Sequence, residues 1–232
     1  MTMRQKRACS VILACIAILS LPGAILAAPP EPAPISDLFY VECYEPDGVL
    51  SIIIPADTGS WNPSIGLAGA WTFWTGKNIG WAPRLGLEYW TIKDGAFEVD
   101  AAKNISVFLD GGAYVFPLGV LFRYSFPWTE RWHADISAGL EYLFIVPTAV
   151  VHFKYKNHWK RWRDDQGCLS FDDRFAIAGD FDAVYAWNEN LNFKIGLGCR
   201  IDLNTADNNF LAENVGNDFS AVMLKAGMSW RF

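Results

Sequence analysis

Acid–base and nucleophilic chemistry would have to use one of only three histidines, His133, His152 and His158. The residue two positions after His133 is Asp135 rather than a serine, and no serine lies close to the other two histidines. Acyl-transfer chemistry needs a nucleophile within hydrogen-bond reach of its base. The chain therefore has no local motif for a lipid-modifying enzyme. Residues distant in sequence could still meet in space, but the sequence favours a protein that is not an enzyme.

Two acidic pairs could suggest carboxylate chemistry or calcium binding, namely Asp180 with Asp182 and Asp164 with Asp165. Acidic residues in loops and protein interiors are more often solvated or salt-bridged, and the sequence contains no recognised metal-binding motif. We therefore predict no catalytic residue, no metal and no cofactor.

The most unusual segment, residues 152–163, mixes cations with aromatic rings in an otherwise acidic chain. Guanidinium and ammonium groups bind phosphates, and aromatic rings rest at lipid headgroup level, so this segment could bind phosphate groups or an acidic partner. A plainer interpretation is a strand end that faces lipid without a dedicated ligand. The candidate contact residues are Lys154, Lys156, Trp159, Lys160, Arg161, Trp162 and Arg163.

The N-terminus predicts export from the cytoplasm. Basic residues precede an apolar run over residues 8–21, and small residues follow at the expected cleavage point. The run is shorter than the roughly 20 residues of a spanning helix. We therefore expect a signal peptide at 1–28, a proline-rich tether at 29–35 and one folded domain at 36–232.

Composition narrows the class of this domain. Hydrophobic residues make up 52% of the chain and the formal net charge is −6, so nucleic acid is excluded as a partner on charge. No segment after the leader is apolar for long enough to span a membrane as a helix. An exported apolar chain of this kind is either a soluble β-protein, such as a β-sandwich, or a closed barrel that crosses a membrane.

Alternation with a period of two predicts strands along most of the domain. In the last segment Val222, Leu224 and Ala226 share one face, while Met223 and Lys225 share the other. Similar patterns predict strands near residues 65–73, 81–89, 114–126, 132–144, 175–187 and 193–202. A further apolar run at 49–54 supplies an eighth strand, although it lacks clean alternation.

Connection lengths favour a barrel over a sandwich. Short turns near 75–78, 127–131 and 188–190 alternate with long loops near 93–112, 147–170 and 204–218, as in bacterial barrels with short periplasmic turns and long extracellular loops. Tryptophans near predicted strand ends suit an interfacial girdle. They are Trp61, Trp81, Trp90, Trp128, Trp132, Trp187 and Trp230.

The final residues Met228, Ser229, Trp230, Arg231 and Phe232, together with the strand patterns at 117–126 and 132–144, resemble the eight-stranded outer-membrane barrels typified by OmpA, OmpX and OmpW. The resemblance covers residues 36–232. It implies an all-β, antiparallel up-and-down transmembrane barrel in the bacterial outer membrane. It also implies that Met228, Trp230 and Phe232 form the signal read by the barrel-assembly machinery.

A barrel of eight strands is just wide enough for side chains to fill its interior. The inward parity carries charges of both signs, so we predict a salt-bridge network that closes the lumen, with His133 hydrogen-bonded into it. A gated polar channel is the alternative. The predicted lumen residues are Arg84, Glu88, Arg123, His133, Asp135, Glu141, Asp180, Asp182, Lys194, Arg200, Asp202 and Lys225.

These patterns predict a monomeric, non-enzymatic scaffold whose extracellular loops contact lipopolysaccharide or a partner. The alternative is a narrow conduit for small hydrophobic molecules, which needs a continuous apolar pocket that a mostly charged or small inner face does not offer. Cys43 and Cys168 are the only plausible disulfide pair. They lie at opposite ends if residues 49–54 form the first strand, and they could approach each other if that strand is nearer residues 38–44.

Overall fold

The computed structural model describes residues 41–75, 78–93, 95–100, 105–155, 167–168, 171–203 and 218–232. The predicted signal peptide and proline-rich tether lie outside these residues and stay predictions. Within the described part, every regular element is a β-strand. The strands are β1 (Cys43–Pro55), β2 (Ser64–Trp74), β3 (Ile79–Thr91), β4 (Gly95–Asp100), β5 (Ile105–Asp110), β6 (Gly112–Pro127), β7 (Trp132–Pro147), β8 (Val150–Tyr155), β9 (Gly167–Cys168), β10 (Arg174–Ala186), β11 (Leu191–Asp202) and β12 (Ala221–Trp230).

Eight of these strands close into an antiparallel barrel in the order β1, β12, β11, β10, β7, β6, β3, β2. Closure joins the first strand to the last, with Asp47 opposite Ser229 and Pro55 opposite Ala221. Beyond that register the backbone amide of Phe232 donates to the carbonyl of Tyr44 over 2.9 Å. The predicted eight-stranded up-and-down barrel is confirmed.

Alternation along each strand separates an apolar outer surface from a buried interior. On β12, Leu224 and Trp230 point outward and are exposed, whereas Met223 and Lys225 on the other parity are buried. Each barrel strand has ten to sixteen residues, which matches the length that a tilted strand needs to cross a bilayer. No helix of the described residues is long and apolar enough to cross a membrane.

The connections place short and long segments on opposite rims, as predicted. β2 and β3, β6 and β7, and β10 and β11 are joined by tight turns at one rim, where Cys43 and Phe232 also lie. The other rim carries the long connections. We call these the short-turn rim and the long-loop rim.

The first strand is longer than the predicted segment at 49–54. β1 begins at Cys43, and alternation runs along it, with Glu45, Asp47 and Ser51 buried between exposed residues. The alternation is not visible in the apolar run of the sequence, because the inward residues Val49 and Ile53 are apolar like their outward neighbours. β1 starts at the short-turn rim and β9, which contains Cys168, lies beyond the other rim, so the two cysteines belong to opposite ends of the molecule.

Two of the predicted long loops contain strands, which corrects the sequence interpretation. β4, β5, β8 and β9 form a second sheet in that order. β5 pairs with β8 in the register that β6 already has with β7, since Ala113 faces Pro147 and Asp110 faces Val150. This sheet, which we call the tongue, therefore extends the β6–β7 hairpin beyond the long-loop rim. Gly111 marks the bend, with a φ of 102°.

Candidate functional site

The lumen next to the short-turn rim contains a cluster of charged side chains. Lys194 Nζ lies 3.3 Å from Glu45 Oε1 and 3.0 Å from Asp47 Oδ2, and Arg123 Nη2 also contacts Asp47 Oδ2 at 3.0 Å. Arg123 Nη1 donates to Thr72 Oγ1 at 2.7 Å. All five residues are buried. Strands on opposite sides of the barrel are thereby tied together across its axis.

A second cluster occupies the middle of the lumen. Lys225 Nζ lies 2.9 Å from Asp180 Oδ1 and 3.0 Å from Asp182 Oδ1. Arg84 Nη1 is 3.3 Å from both Asp180 Oδ2 and Glu141 Oε1, so its guanidinium links this cluster to the next one. Gly198 lies beside the cluster, where a Cβ would come within 2.6 Å of Asp180 Oδ1. The glycine leaves the space that the carboxylate occupies.

Nearer the long-loop rim, Arg200 is completely buried between two carboxylates. It donates to Glu88 through both terminal nitrogens, at 2.8 and 2.7 Å, and to Glu141 Oε2 through Nε at 2.8 Å. Trp90 Nε1 donates to the same Glu88 at 2.9 Å. Such a two-pronged arginine–carboxylate contact fixes geometry as well as charge.

Above these ions the lumen is capped by aromatic rings. Trp61 packs against Trp90, Phe171 and Phe219 with centroid separations of 5.2 to 5.7 Å. Arg174, which binds Asp202 at 2.8 Å, lies over the ring of Phe219. The prediction of an interfacial role was wrong for Trp61 and Trp90. Both have no exposed surface and face inward, because they belong to the buried hydrophobic cluster near the long-loop rim.

His133 differs from the other predicted lumen residues. It lies on the inward parity near the short-turn rim but is only half-buried, and its Nε2 is 3.8 Å from Asp135 Oδ1. That separation is too long for a hydrogen bond, so the predicted hydrogen bond is not formed. Both carboxylate oxygens of Asp135 are buried without a hydrogen-bond partner among the described residues.

The structure thus brings most of the predicted charged lumen residues into two networks, one around Lys194 and Arg123 and one that runs from Lys225 through Arg84 to Arg200, while Asp202 pairs with Arg174. His133 and Asp135 stand outside these contacts. The sequence did not predict Glu45 and Asp47 as lumen residues, because both precede the predicted first strand at 49–54. It also missed Arg174, which lies one residue before the predicted strand. Among the assembly-signal residues, Met228, Trp230 and Phe232 have exposed side chains. Of the cationic segment, residues 156–166 lie outside the described residues, and only the backbone position of Lys154 in β8 is known.

This arrangement places paired charges across the lumen. Its carboxylates other than Asp135 are held by arginine and lysine side chains, and the described residues contain no group of three or more histidines, cysteines or carboxylates that could hold a metal ion. Apart from Asp135, the charges named here are matched by an opposite charge within 3.3 Å, which is the arrangement of structural ion pairs.

The outer surface carries two aromatic girdles of unequal extent. At the short-turn rim every barrel strand contributes an outward aromatic residue. In strand order from β1 these are Tyr44, Phe73, Trp81, Tyr124, Trp132, Tyr185, Phe193 and Trp230. Near the long-loop rim, outward aromatic residues occur within the described strands only on the neighbours β3, β6, β7 and β10. They are Tyr89, Tyr114, Phe116, Tyr142, Phe144 and Phe175.

Comparison with known proteins identifies the fold. No protein-family model matches the sequence, and no curated protein matches it either. Among solved structures, the outer membrane protein OprG from Pseudomonas aeruginosa is 11% identical, with 82% of this chain and 95% of that chain covered at a TM-score of 0.51. Neisserial surface protein A is 10% identical, with 82% and 96% covered at a TM-score of 0.48.

The similarity to OprG supports the predicted resemblance at the level of fold. The barrel is closed, has an even number of antiparallel strands and presents apolar side chains outward on every strand, for example Ile52, Leu67 and Phe122. Such a surface is stable only in lipid, and barrels of this architecture belong to bacterial outer membranes. The chain is an outer-membrane β-barrel.

Proposed function

We propose that this protein is a non-conducting, non-enzymatic anchor that displays its tongue and long loops at the cell surface. The observation that carries the proposal is the filled lumen. The buried cations Lys194, Lys225 and Arg200 cross the barrel axis, each paired with a carboxylate, and the aromatic cap around Trp61 lies above them. A conduit for small hydrophobic molecules needs an open apolar passage, and the apolar part of this lumen is packed with rings.

Planar-bilayer recordings test the closed lumen. The purified protein is expected to show no steady open level, because moving the buried ion pairs would leave charges unpaired in a low-dielectric interior. The same preparation should show heat-modifiable gel mobility, which proves that folded barrels were added. A reproducible open state of fixed conductance would refute the anchor.

We further propose that the displayed surface contacts the phosphate groups of lipopolysaccharide. Five cations in the segment at 154–163 support this, since the rest of the chain is acidic and guanidinium and ammonium groups bind phosphate. The five are Lys154, Lys156, Lys160, Arg161 and Arg163. The segment begins within β8, which lies beyond the long-loop rim.

Replacing all five cations with glutamine should weaken lipopolysaccharide binding by the folded protein in detergent micelles by roughly a thousand-fold, at about 1 kcal/mol for each cation near an anionic surface. Lys93→Gln is the matched control, because Lys93 is an exposed cation at the same rim that hydrogen-bonds the backbone of Thr58. Unchanged binding by the five-fold variant would exclude this contact.

A further inference from the structure

The first and last strands of the barrel meet along a seam whose backbone pairing is interrupted near the short-turn rim. The pairing with β12 is continuous along β1 from Pro55 down to Asp47. At the lower end of the seam, Tyr44 and Phe232 exchange two backbone hydrogen bonds, of 3.2 and 2.9 Å. Pro46 lies between these two stretches, where no paired residues occur.

Pro46 removes one hydrogen bond from the ladder of this seam. In an antiparallel pair of strands, the residues that exchange both bonds recur at every second position. Because Tyr44 and Phe232 form such a pair, Pro46 and Trp230 occupy the next one along the seam. Proline has no N–H, so the carbonyl of Trp230 receives no ladder hydrogen bond from β1. The backbone therefore joins the two strands less firmly at the short-turn rim than above it.

The side chain of Glu45 lies inside the barrel at this interruption and is only 1% exposed. Two residues of β12 contact it: Ser229 Oγ donates to Glu45 Oε1, and Arg231 Nε lies 3.7 Å from Glu45 Oε2. Lys194 Nζ, on β11, lies 3.3 Å from Glu45 Oε1. A charged acceptor makes stronger hydrogen bonds than a neutral one. Glu45 thus supplies the contact across the seam that the backbone of Pro46 cannot make.

Trp74 extends these contacts to β2, the other neighbour of β1. Its indole Nε1 donates to Glu45 Oε2 at 2.9 Å. The guanidinium carbon of Arg231 lies 5.6 Å from the centroid of the Trp74 ring, in the range of a cation–π contact. Side chains of β12 and β2 therefore touch each other across the end of β1. We call Glu45, Trp74, Ser229 and Arg231 the clasp.

We infer that the clasp is the lock of the closed barrel: the seam between β1 and β12 opens from the short-turn rim, and Glu45 holds it shut. Glu45 and Ser229 come from opposite ends of the folded domain, so the clasp forms only when the last strand has met the first. The long-loop end of the seam needs no such device. There the backbone pairing continues past the strands, through a 2.8 Å hydrogen bond from the amide of Ala56 to the carbonyl of Ser220.

Glu45→Gln tests the inference in the full-length protein. The substitution removes the charge of the clasp, while Asp47 still pairs with Lys194 at 3.0 Å, so no buried cation is left alone. Glu141→Gln is the matched control. Glu141 is as buried as Glu45 but lies on β7, away from the seam, and the cations that it contacts keep a second carboxylate.

The measurement is amide hydrogen exchange of the folded protein in lipid nanodiscs, followed by mass spectrometry. In Glu45→Gln, exchange at residues 43–48 and 227–232 should become about ten-fold faster, as expected when a hydrogen bond to a charged group is weakened, while residues 49–55 keep their protection. Glu141→Gln should leave the first two segments unchanged. Unchanged exchange there in Glu45→Gln, an equal increase in both variants, or a uniform increase over all strands would each overturn the inference.

Trp74→Phe is a second, milder test that does not change a buried charge. Phenylalanine keeps a ring beside Arg231 but removes the N–H that donates to Glu45. Exchange should again become faster in the two segments at the lower end of the seam, by less than in Glu45→Gln. Heat-modifiable gel mobility checks that each variant has folded. Faster exchange confined to β2 and β3 in Trp74→Phe would show that this residue supports only its own hairpin, and the clasp would be refuted.

Discussion

At the scale of single residues, Arg200 is the side chain on which the lumen depends most. It has no exposed surface, and Glu88 and Glu141 accept three of its hydrogen bonds at 2.7 to 2.8 Å. Arg200→Met keeps much of the volume but leaves two buried carboxylates without their cation. We expect a loss of about 3–5 kcal/mol in the free energy of unfolding, measured by urea titration in lipid vesicles with tryptophan fluorescence.

The penalty in Arg200→Met should come from stranded charge rather than from lost packing. Adding Glu88→Gln and Glu141→Gln to that variant therefore ought to recover a large part of the loss. Arg131→Met, at an exposed arginine of the short-turn rim, serves as the control with an expected change near zero. A loss below about 1 kcal/mol for Arg200→Met would contradict a role for this ion network in stability.

Residue parity explains which lumen residues could be predicted from the sequence. Lys194, Arg200 and Lys225 alternate with apolar residues over long runs, so their inward position follows from a period of two. Trp61 could not be placed in this way. It lies in a connection outside any barrel strand, and the same residue type at a strand end faces lipid at Trp230. Only the three-dimensional closure of the rim decides that Trp61 points into the lumen.

At the scale of elements, Gly111 is the bend between the barrel strand β6 and the tongue strand β5. Its φ of 102° lies in the left-handed region, and a Cβ there would approach the carbonyl oxygen of Thr148 to 2.8 Å. Gly111→Ala should cost about 1–2 kcal/mol, concentrated at the base of the tongue. Hydrogen exchange followed by mass spectrometry should show faster exchange in β5 and β8 and unchanged protection in β11 and β12.

Gly48→Ala is the matched substitution for this prediction. Gly48 faces outward on β1, and a Cβ at that position would have no atom within 4 Å. This variant is expected to leave both stability and the exchange pattern unchanged. Uniformly faster exchange over all strands in Gly111→Ala would show that the bend supports the whole barrel and not the tongue alone.

The elements themselves were predictable where a strand is long and one of its faces meets lipid. β6, β7, β10, β11 and β12 agree with their predicted segments to within a few residues. The tongue was missed because its strands have six residues or fewer and lie inside segments whose length indicated loops. Continuation of the β6–β7 register past Gly111 is a long-range property that local alternation does not reveal.

At the scale of the whole molecule, closure of the hydrogen-bonded sheet predicts a form that resists detergent. Because β1 pairs with both β2 and β12, no barrel edge is open to unfolding from one side. The native protein should therefore migrate faster on a gel in sodium dodecyl sulfate without heating than after boiling. A soluble β-sandwich would show one mobility under both conditions, and that outcome would refute the membrane barrel.

The lumen is closed twice, by the aromatic cap and by the ion clusters beneath it, and the two closures can be separated. Trp61→Ala removes the central ring of the cap, which should cost about 3–5 kcal/mol, because the surrounding rings relax only partly into the space. The variant should nevertheless stay non-conducting in planar bilayers. Arg200, Lys225 and Lys194 still cross the axis at successive levels below the removed ring. A steady open level in Trp61→Ala would instead show that the cap alone seals the barrel and that ions can pass between the charged side chains.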